Sequence, residues 1–245
     1  MSERTNWYTP AAVWRRLGLA RHNWPGRFTV LLMTILTFLV AQPIFSGHTF
    51  AENLVSLWIS MVLLAALYAF RSARFYFVIA LVLLVPSLGG RIALLFTSNP
   101  TIENVSAISS CLFLAVTVIA LISRLFIVKS VTLDTISAGI CAYLLTAVAF
   151  AYSFAVVELR HPGSFSAELF ERTGHGAPLL ASFHNFLYYS FVCLTTTGFG
   201  DIAPVSGGAR SLSVMESVFG QLYVAILIAR LVSLQVAQSM MKERE

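Results

Sequence analysis

The chain has 245 residues, of which 58% are hydrophobic and only 11% are charged, and its formal net charge is +5. Soluble domains carry about 25% charged residues, so this composition excludes an ordinary soluble domain and indicates a polytopic membrane protein. The basic residues stand in short connections between apolar stretches rather than in one solvated cluster, which argues against a nucleic-acid partner.

Residues 1–27 are predicted to form a cytoplasmic N-terminal segment that contains an interfacial helix over residues 9–23. Pro10 suits the first position of a helix. Trp14 and Leu17 share one helical face, and the opposite face carries three arginines: Arg15, Arg16 and Arg21. A basic amphipathic helix of this kind is typical of a segment that lies on the membrane surface and contacts lipid.

Six apolar stretches are long enough to cross a bilayer, which takes about 20 residues in a helix. They lie at residues 28–45, 51–70, 75–97, 104–128, 135–157 and 211–236. A further apolar stretch, residues 183–194, is too short to cross and precedes a glycine-bearing loop, as a re-entrant segment does. The predicted fold is an all-α membrane protein with six transmembrane helices, and with a re-entrant pore helix and loop between the fifth and the sixth.

This order of elements divides the rest of the chain into three parts. We expect a four-helix transmembrane domain over residues 28–128, a pore domain over residues 129–238 and a cytoplasmic tail over residues 239–245. Twelve of the 16 lysines and arginines lie on the side that holds both termini. The positive-inside rule therefore predicts a multi-pass protein of the plasma or inner membrane with both termini in the cytoplasm.

Charged residues are rare in the first four stretches. A voltage sensor needs several arginines in its fourth span, because each charge moved contributes only about 2.3 kcal/mol per 100 mV. Residues 104–128 hold one basic residue, Arg124, so strong voltage gating is not expected. In the third stretch, Arg91 is expected near the outer boundary, where its guanidinium can snorkel to the head groups.

The loop after the short helix has a composition suited to binding a desolvated cation. It reads Thr195-Thr196-Thr197-Gly198-Phe199-Gly200-Asp201. A potassium ion enters a narrow pore only where oxygen atoms replace its hydration shell, and rings of backbone carbonyls from four identical loops can do so. To aim consecutive carbonyls at one axis, the backbone must alternate between conformations, and Gly198 and Gly200 supply permissive positions.

The loop resembles the selectivity filter of the tetrameric potassium channels, whose signature is Thr-Thr-Val-Gly-Tyr/Phe-Gly-Asp. The similarity extends over roughly residues 135–238 and implies a homotetramer, since one chain carries one filter. It implies that the K⁺ ligands are the carbonyls of Thr196, Thr197, Gly198 and Phe199 and the Thr196 hydroxyl, with Gly200 permitting the backbone turn. It also places Asp201 at the outer mouth, Thr195, Tyr188 and Tyr189 in support of the filter, and an inner-helix hinge at Gly220.

Departures from the family pattern affect the surroundings of the filter. Thr197 replaces valine, and Phe199 lacks the hydroxyl of tyrosine, so Tyr188 and Tyr189 need other partners. In some relatives a glutamate bonds the mouth aspartate, but Val192 stands at that position here. Asp201 is therefore expected to lack this partner.

The predicted inner helix contains one acid in its outer part, Glu216. We expect this side chain to pack behind the filter or to pair with Arg210, and a place in the conduction path is the alternative.

The sequence thus predicts a potassium-selective channel subunit that conducts K⁺ passively and is not an enzyme. Three further copies of the chain and membrane lipid are the expected partners, and no cofactor, small-molecule substrate or nucleic acid is expected. The nearest alternative is a weakly selective cation channel on the same scaffold. A membrane transporter or enzyme, and a non-conducting regulatory subunit, are the alternatives from other classes.

Overall fold

The computed structural model describes residues 27–45, 60–66, 74–94, 97, 99–127, 132–166 and 179–242. These residues form the helices α1 (Arg27–Phe45), α2 (residues 60–66), α3 (Arg74–Leu94), α4 (Pro100–Ile127), α5 (Leu133–Arg160), α6 (Leu179–Leu194) and α7 (Gly207–Lys242). The predicted interfacial helix over residues 9–23 lies outside the described residues.

Three of the described helices are long and apolar enough to cross a membrane. They contain the candidate spans Pro100–Ser123, Leu133–Arg160 and Gly207–Val236. Shorter apolar stretches, Phe28–Val40 and Val78–Leu94, lie in α1 and α3. The described part of the chain is therefore helical and apolar, as a membrane protein requires, and the total of six spans stays a prediction.

The start of α5 is fixed by its own sequence and ties α1 to the rest of the helices. Thr132 has an extended backbone, and its hydroxyl oxygen accepts a hydrogen bond from the Thr135 N–H at 3.2 Å, which caps the helix. Asp134 lies in the first turn, where a negative charge is favourable. Its carboxylate also accepts a bond from the Phe28 N–H of α1 at 3.3 Å.

The helix α5 is central to the packing, because it contacts α1, α4, α6 and α7. Small side chains let these neighbours approach closely; the buried ones are Ala138, Gly139, Ala142, Ala147, Ala151 and Ala155. Burial covers 61% of the candidate span in α5 but only 11% of that in α7. Most of the α7 surface therefore has no partner within the described part of this single chain.

The expectation that Arg91 snorkels to the membrane surface is wrong. Its side chain is only 5% exposed, and its Nη2 donates a hydrogen bond to the hydroxyl of Tyr152 on α5. The guanidinium carbon lies 5.6 Å from the Tyr152 ring centroid, so the ring also stabilises the cation. The Tyr152 ring in turn packs against Phe183 of α6, with 4.5 Å between centroids.

Candidate functional site

The short helix α6 positions the loop that carries the predicted site. At 16 residues, it is about 24 Å long, less than the roughly 30 Å of a bilayer core. Its buried side chains face α5 and α7; among them are Phe183, Phe186, Leu187, Ser190 and Leu194. The short helix predicted over residues 183–194 is thus present, and its re-entrant placement stays a prediction.

An aromatic cluster holds the segment after the loop against the end of α5. The Phe165 ring makes edge-to-face contacts with Phe154, Phe186 and Tyr189 at centroid distances of 5.4 to 5.7 Å. Phe165 also forms an isolated antiparallel bridge with Pro204. The chain leaving the loop is therefore fixed to a rigid support, with backbone bonds from Ser166 N to Ala203 O at 2.9 Å and from Val205 N to Ser164 O at 2.8 Å.

The backbone of the loop alternates in conformation. φ is positive at every second residue, with values of 57° at Thr196, 60° at Gly198 and 83° at Gly200. Among the described residues, Thr196 is the one non-glycine with a positive φ, a conformation that costs free energy for a β-branched side chain. Alternation of this kind turns successive carbonyl groups toward one side of the chain, which is the arrangement that a cation-binding loop needs.

The last four carbonyl oxygens of α6 all accept hydrogen bonds, so this helix end is fully capped. The Phe191 carbonyl accepts from Thr195 N (3.0 Å) and Thr195 Oγ1 (2.7 Å), and the Val192 carbonyl accepts from Thr197 N (3.0 Å). The Cys193 carbonyl accepts from Thr196 N and Ser217 Oγ (both 2.9 Å), and the Leu194 carbonyl accepts from the Tyr143 hydroxyl (3.4 Å). Ser217 belongs to α7 and Tyr143 to α5, so both neighbouring helices hold the base of the loop.

The three threonine hydroxyls form contacts within the loop. The Thr195 and Thr197 hydroxyl oxygens lie 2.8 Å apart, and the Thr196 hydroxyl donates to the Thr195 carbonyl at 2.7 Å. Gln221 of α7 places its amide nitrogen 3.5 Å from the Thr196 hydroxyl oxygen. Gln221 was not predicted from the sequence, although an amide within the apolar stretch of the inner helix, one turn after Ser217, was a usable signal.

Tyr188 contacts the outer half of the loop in two ways. Its ring is parallel to that of Phe199, with an interplanar angle of 1° and 6.4 Å between centroids. Its hydroxyl donates a hydrogen bond to the Asp201 carboxylate at 2.8 Å, which raises the pKa of the phenol because the bond favours its neutral form. The partner of Asp201 is therefore Tyr188 and not a residue at position 192.

The predicted support Tyr189 turns into the protein. It is buried, and its hydroxyl oxygen lies 2.6 Å from the Ser213 hydroxyl oxygen of α7. Tyr189 therefore joins α6 to α7 behind the loop, whereas Tyr188 contacts the loop itself.

Gly220 is required by a close approach between helices. It is buried, and a Cβ atom there would overlap the carbonyl oxygen of Leu194 at the end of α6. The helix α7 continues without interruption on both sides of Gly220. The hinge predicted at this residue stays a prediction, and the contact with Leu194 is a separate reason for glycine.

Glu216 lies in the interior of the protein, against the helix that precedes the loop. Its side chain is fully buried and contacts the hydroxyl of Ser190 on α6. It does not pair with Arg210, whose Nε donates to the Pro204 carbonyl at 3.2 Å.

Comparison with known proteins identifies the segment that holds these features. Residues 131–236 match the family model described as "Ion channel". The match includes α5, α6, the loop and most of α7, and this part of the chain is therefore similar to ion channels. None of the curated protein sequences matches the chain.

Proposed function

We propose that this chain is one subunit of a potassium-selective channel, and that its loop from Thr196 to Gly200 forms a quarter of the selectivity filter. The observation that carries the proposal is the positive φ at Thr196, Gly198 and Gly200. This alternation occurs in a loop that follows a short apolar helix, within the segment that matches ion channels.

The proposed chemistry is passive and needs neither a cofactor nor a catalytic group. Neutral carbonyl dipoles replace the hydration water of K⁺ without the tight binding that carboxylates would give. The carbonyls of Thr196, Thr197, Gly198 and Phe199 and the Thr196 hydroxyl are the proposed ligands. Asp201 adds negative charge at the outer mouth, where it concentrates cations.

Three further copies of the chain complete the proposed pore. In the single chain, every residue from 195 to 201 is exposed, and Phe199 is 68% exposed. The candidate span of α7 is only 11% buried. A homotetramer would cover these surfaces, because each loop and each α7 would then face its copies around one axis.

The proposed setting is a multi-pass protein in the plasma or inner membrane, with both termini in the cytoplasm. Twelve of the 16 basic residues support this orientation. In this arrangement the loop opens outward, and the single arginine of the fourth stretch, Arg124, gives little voltage dependence.

The decisive test is the reversal potential of the purified protein in a bilayer with opposed K⁺ and Na⁺ gradients. The wild type is expected to reverse close to the K⁺ equilibrium potential. Gly198→Ala and Gly200→Ala place a Cβ at positive φ and are expected to abolish selective current while tetramers still assemble.

Gly208→Ala is the matched control, because Gly208 lies in α7, where a Cβ meets nothing within 4 Å and φ is not positive. Unchanged K⁺ selectivity in Gly198→Ala would contradict the proposal. A wild-type reversal potential midway between the two equilibrium potentials would instead indicate a weakly selective cation channel.

A further inference from the structure

Glu216 occupies a place in the pore domain where an acid is unexpected. It lies on α7, in contact with Ser190 of α6, and its side chain is 0% exposed even in the single chain. The Ser190 hydroxyl oxygen also lies 2.7 Å from the carbonyl oxygen of Ala147 on α5. The three residues therefore form one row of polar atoms through three helices.

The hydrogens available in this row determine the protonation state of Glu216. A serine hydroxyl has one hydrogen to donate, and a backbone carbonyl can only accept. If Ser190 donates to Ala147, the hydrogen between Ser190 and Glu216 must come from the carboxyl group. Were Glu216 ionised, two acceptors would compete for the single hydrogen of Ser190, and one of the two contacts would be left without a donor.

The surroundings of Glu216 support the same conclusion. In the described part of the chain, the ionisable side chains that interact with it are Tyr143 on α5 and Tyr189 and Cys193 on α6. None of these carries a positive charge. The second carboxyl oxygen, Oε2, is buried and has no hydrogen-bond partner. An ionised carboxylate would be costly here, whereas a neutral acid would leave only one carbonyl oxygen unsatisfied.

We infer that Glu216 holds a proton and donates it to Ser190, so that a chain of two hydrogen bonds joins α7, α6 and α5 behind the pore loop. Removing this proton would break the bond between α7 and α6 and leave an unpaired charge beside the pore helix. On the proposed function, the channel should therefore lose current as the pH is raised far enough to ionise Glu216.

Infrared spectroscopy of the full-length protein tests the protonation state without requiring current. The wild type at neutral pH is expected to show the C=O stretch of a protonated carboxyl group, and Glu216→Gln is expected to lack it. Ser190→Ala is expected to retain this band and shift it to higher frequency, because the acid then loses its acceptor. The absence of any such band difference between the wild type and Glu216→Gln would overturn the inference.

A pH series of currents tests the functional consequence. Glu216→Gln keeps an N–H donor for Ser190 and cannot ionise, so it is expected to conduct at neutral pH and to lose the alkaline inhibition seen in the wild type. Identical pH profiles for the two proteins would overturn the regulatory role. A wild type with the infrared band but no K⁺ current would contradict the proposed function alone.

Discussion

Thr196 is a β-branched residue with a positive φ, whereas the next two positive-φ positions of the loop are the glycines Gly198 and Gly200. Two hydrogen bonds to preceding residues hold Thr196 in this strained conformation: its N–H donates to the Cys193 carbonyl and its hydroxyl donates to the Thr195 carbonyl. The glycines could be identified from the sequence as backbone positions with a special conformation. The φ of Thr196 could not, because residue type alone favours the opposite sign.

The bond between Tyr188 and Asp201 should prolong the time for which the outer end of the proposed filter keeps its conducting shape. Tyr188→Phe removes the hydroxyl and keeps the ring parallel to Phe199. We expect sustained current to decay roughly threefold faster, the size of effect expected from one partly exposed hydrogen bond. The measurement is the decay time of current in a reconstituted bilayer.

Tyr189→Phe is the matched control, because it removes a hydroxyl that bonds Ser213 behind α6 instead of the loop. An equal acceleration in both variants would show that the bond to Asp201 is not the cause.

At the scale of helices, the lengths of the apolar stretches predicted where the helices lie, but the sequence did not predict how each helix is rotated about its axis. The runs of apolar residues predicted the ends of α5, α6 and α7 to within six residues, because span length follows from bilayer thickness. The rotation of each helix depends on its neighbours. The partners of Arg91 and Glu216 therefore could not be predicted, and neither could the approach of Gly220 to Leu194.

Arg91 of α3 and Tyr152 of α5 should stabilise the packing between these two helices. Tyr152→Phe leaves a buried guanidinium without its hydroxyl partner and is expected to lower the free energy of unfolding by about 1–3 kcal/mol. The same change in an Arg91→Met background should cost under about 1 kcal/mol, since no cation is then left unsatisfied. Thermal or denaturant unfolding in detergent measures both values.

Ion selectivity should be unchanged in these variants, because Tyr152 contacts Phe183 at the far end of α6 from the loop. Equal destabilisation by Tyr152→Phe with and without Arg91 would show that the two residues are not coupled.

At the scale of the whole molecule, the buried and exposed helices have different roles. α5 is enclosed by four other helices, so the single chain already holds it in place. α7 and the loop are mostly exposed and owe their final environment to other copies in the proposed tetramer. The chemistry of the ion allowed the need for four loops to be inferred from one sequence. Which surfaces of the copies contact one another could not be inferred in the same way.

Potassium should hold the proposed tetramer together. An ion bound by four loops stabilises the assembly by mass action, by about 2.7 kcal/mol when its concentration is a hundred times the dissociation constant. The midpoint temperature for dissociation of the tetramer, followed by native mass spectrometry or gel electrophoresis, is therefore expected to be higher in K⁺ than in Na⁺.

Gly198→Ala should remove this difference between the two ions, and Gly208→Ala should retain it. A tetramer equally stable in both salts for the wild type would indicate that the loops do not bind K⁺ selectively, and a monomer in both would contradict the assembly itself.

The capped end of α6 has a mechanical consequence. Ser217 on α7 and Tyr143 on α5 bond consecutive carbonyls, those of Cys193 and Leu194, immediately before the first threonine of the loop. In the proposed channel, a tilt of α7 that widens the cytoplasmic end of the pore would displace Ser217 and, through its bond to the Cys193 carbonyl, the base of the loop. Opening at the cytoplasmic end and the fit of the ion in the loop would then change together, and a stimulus that acts on one would also alter the other.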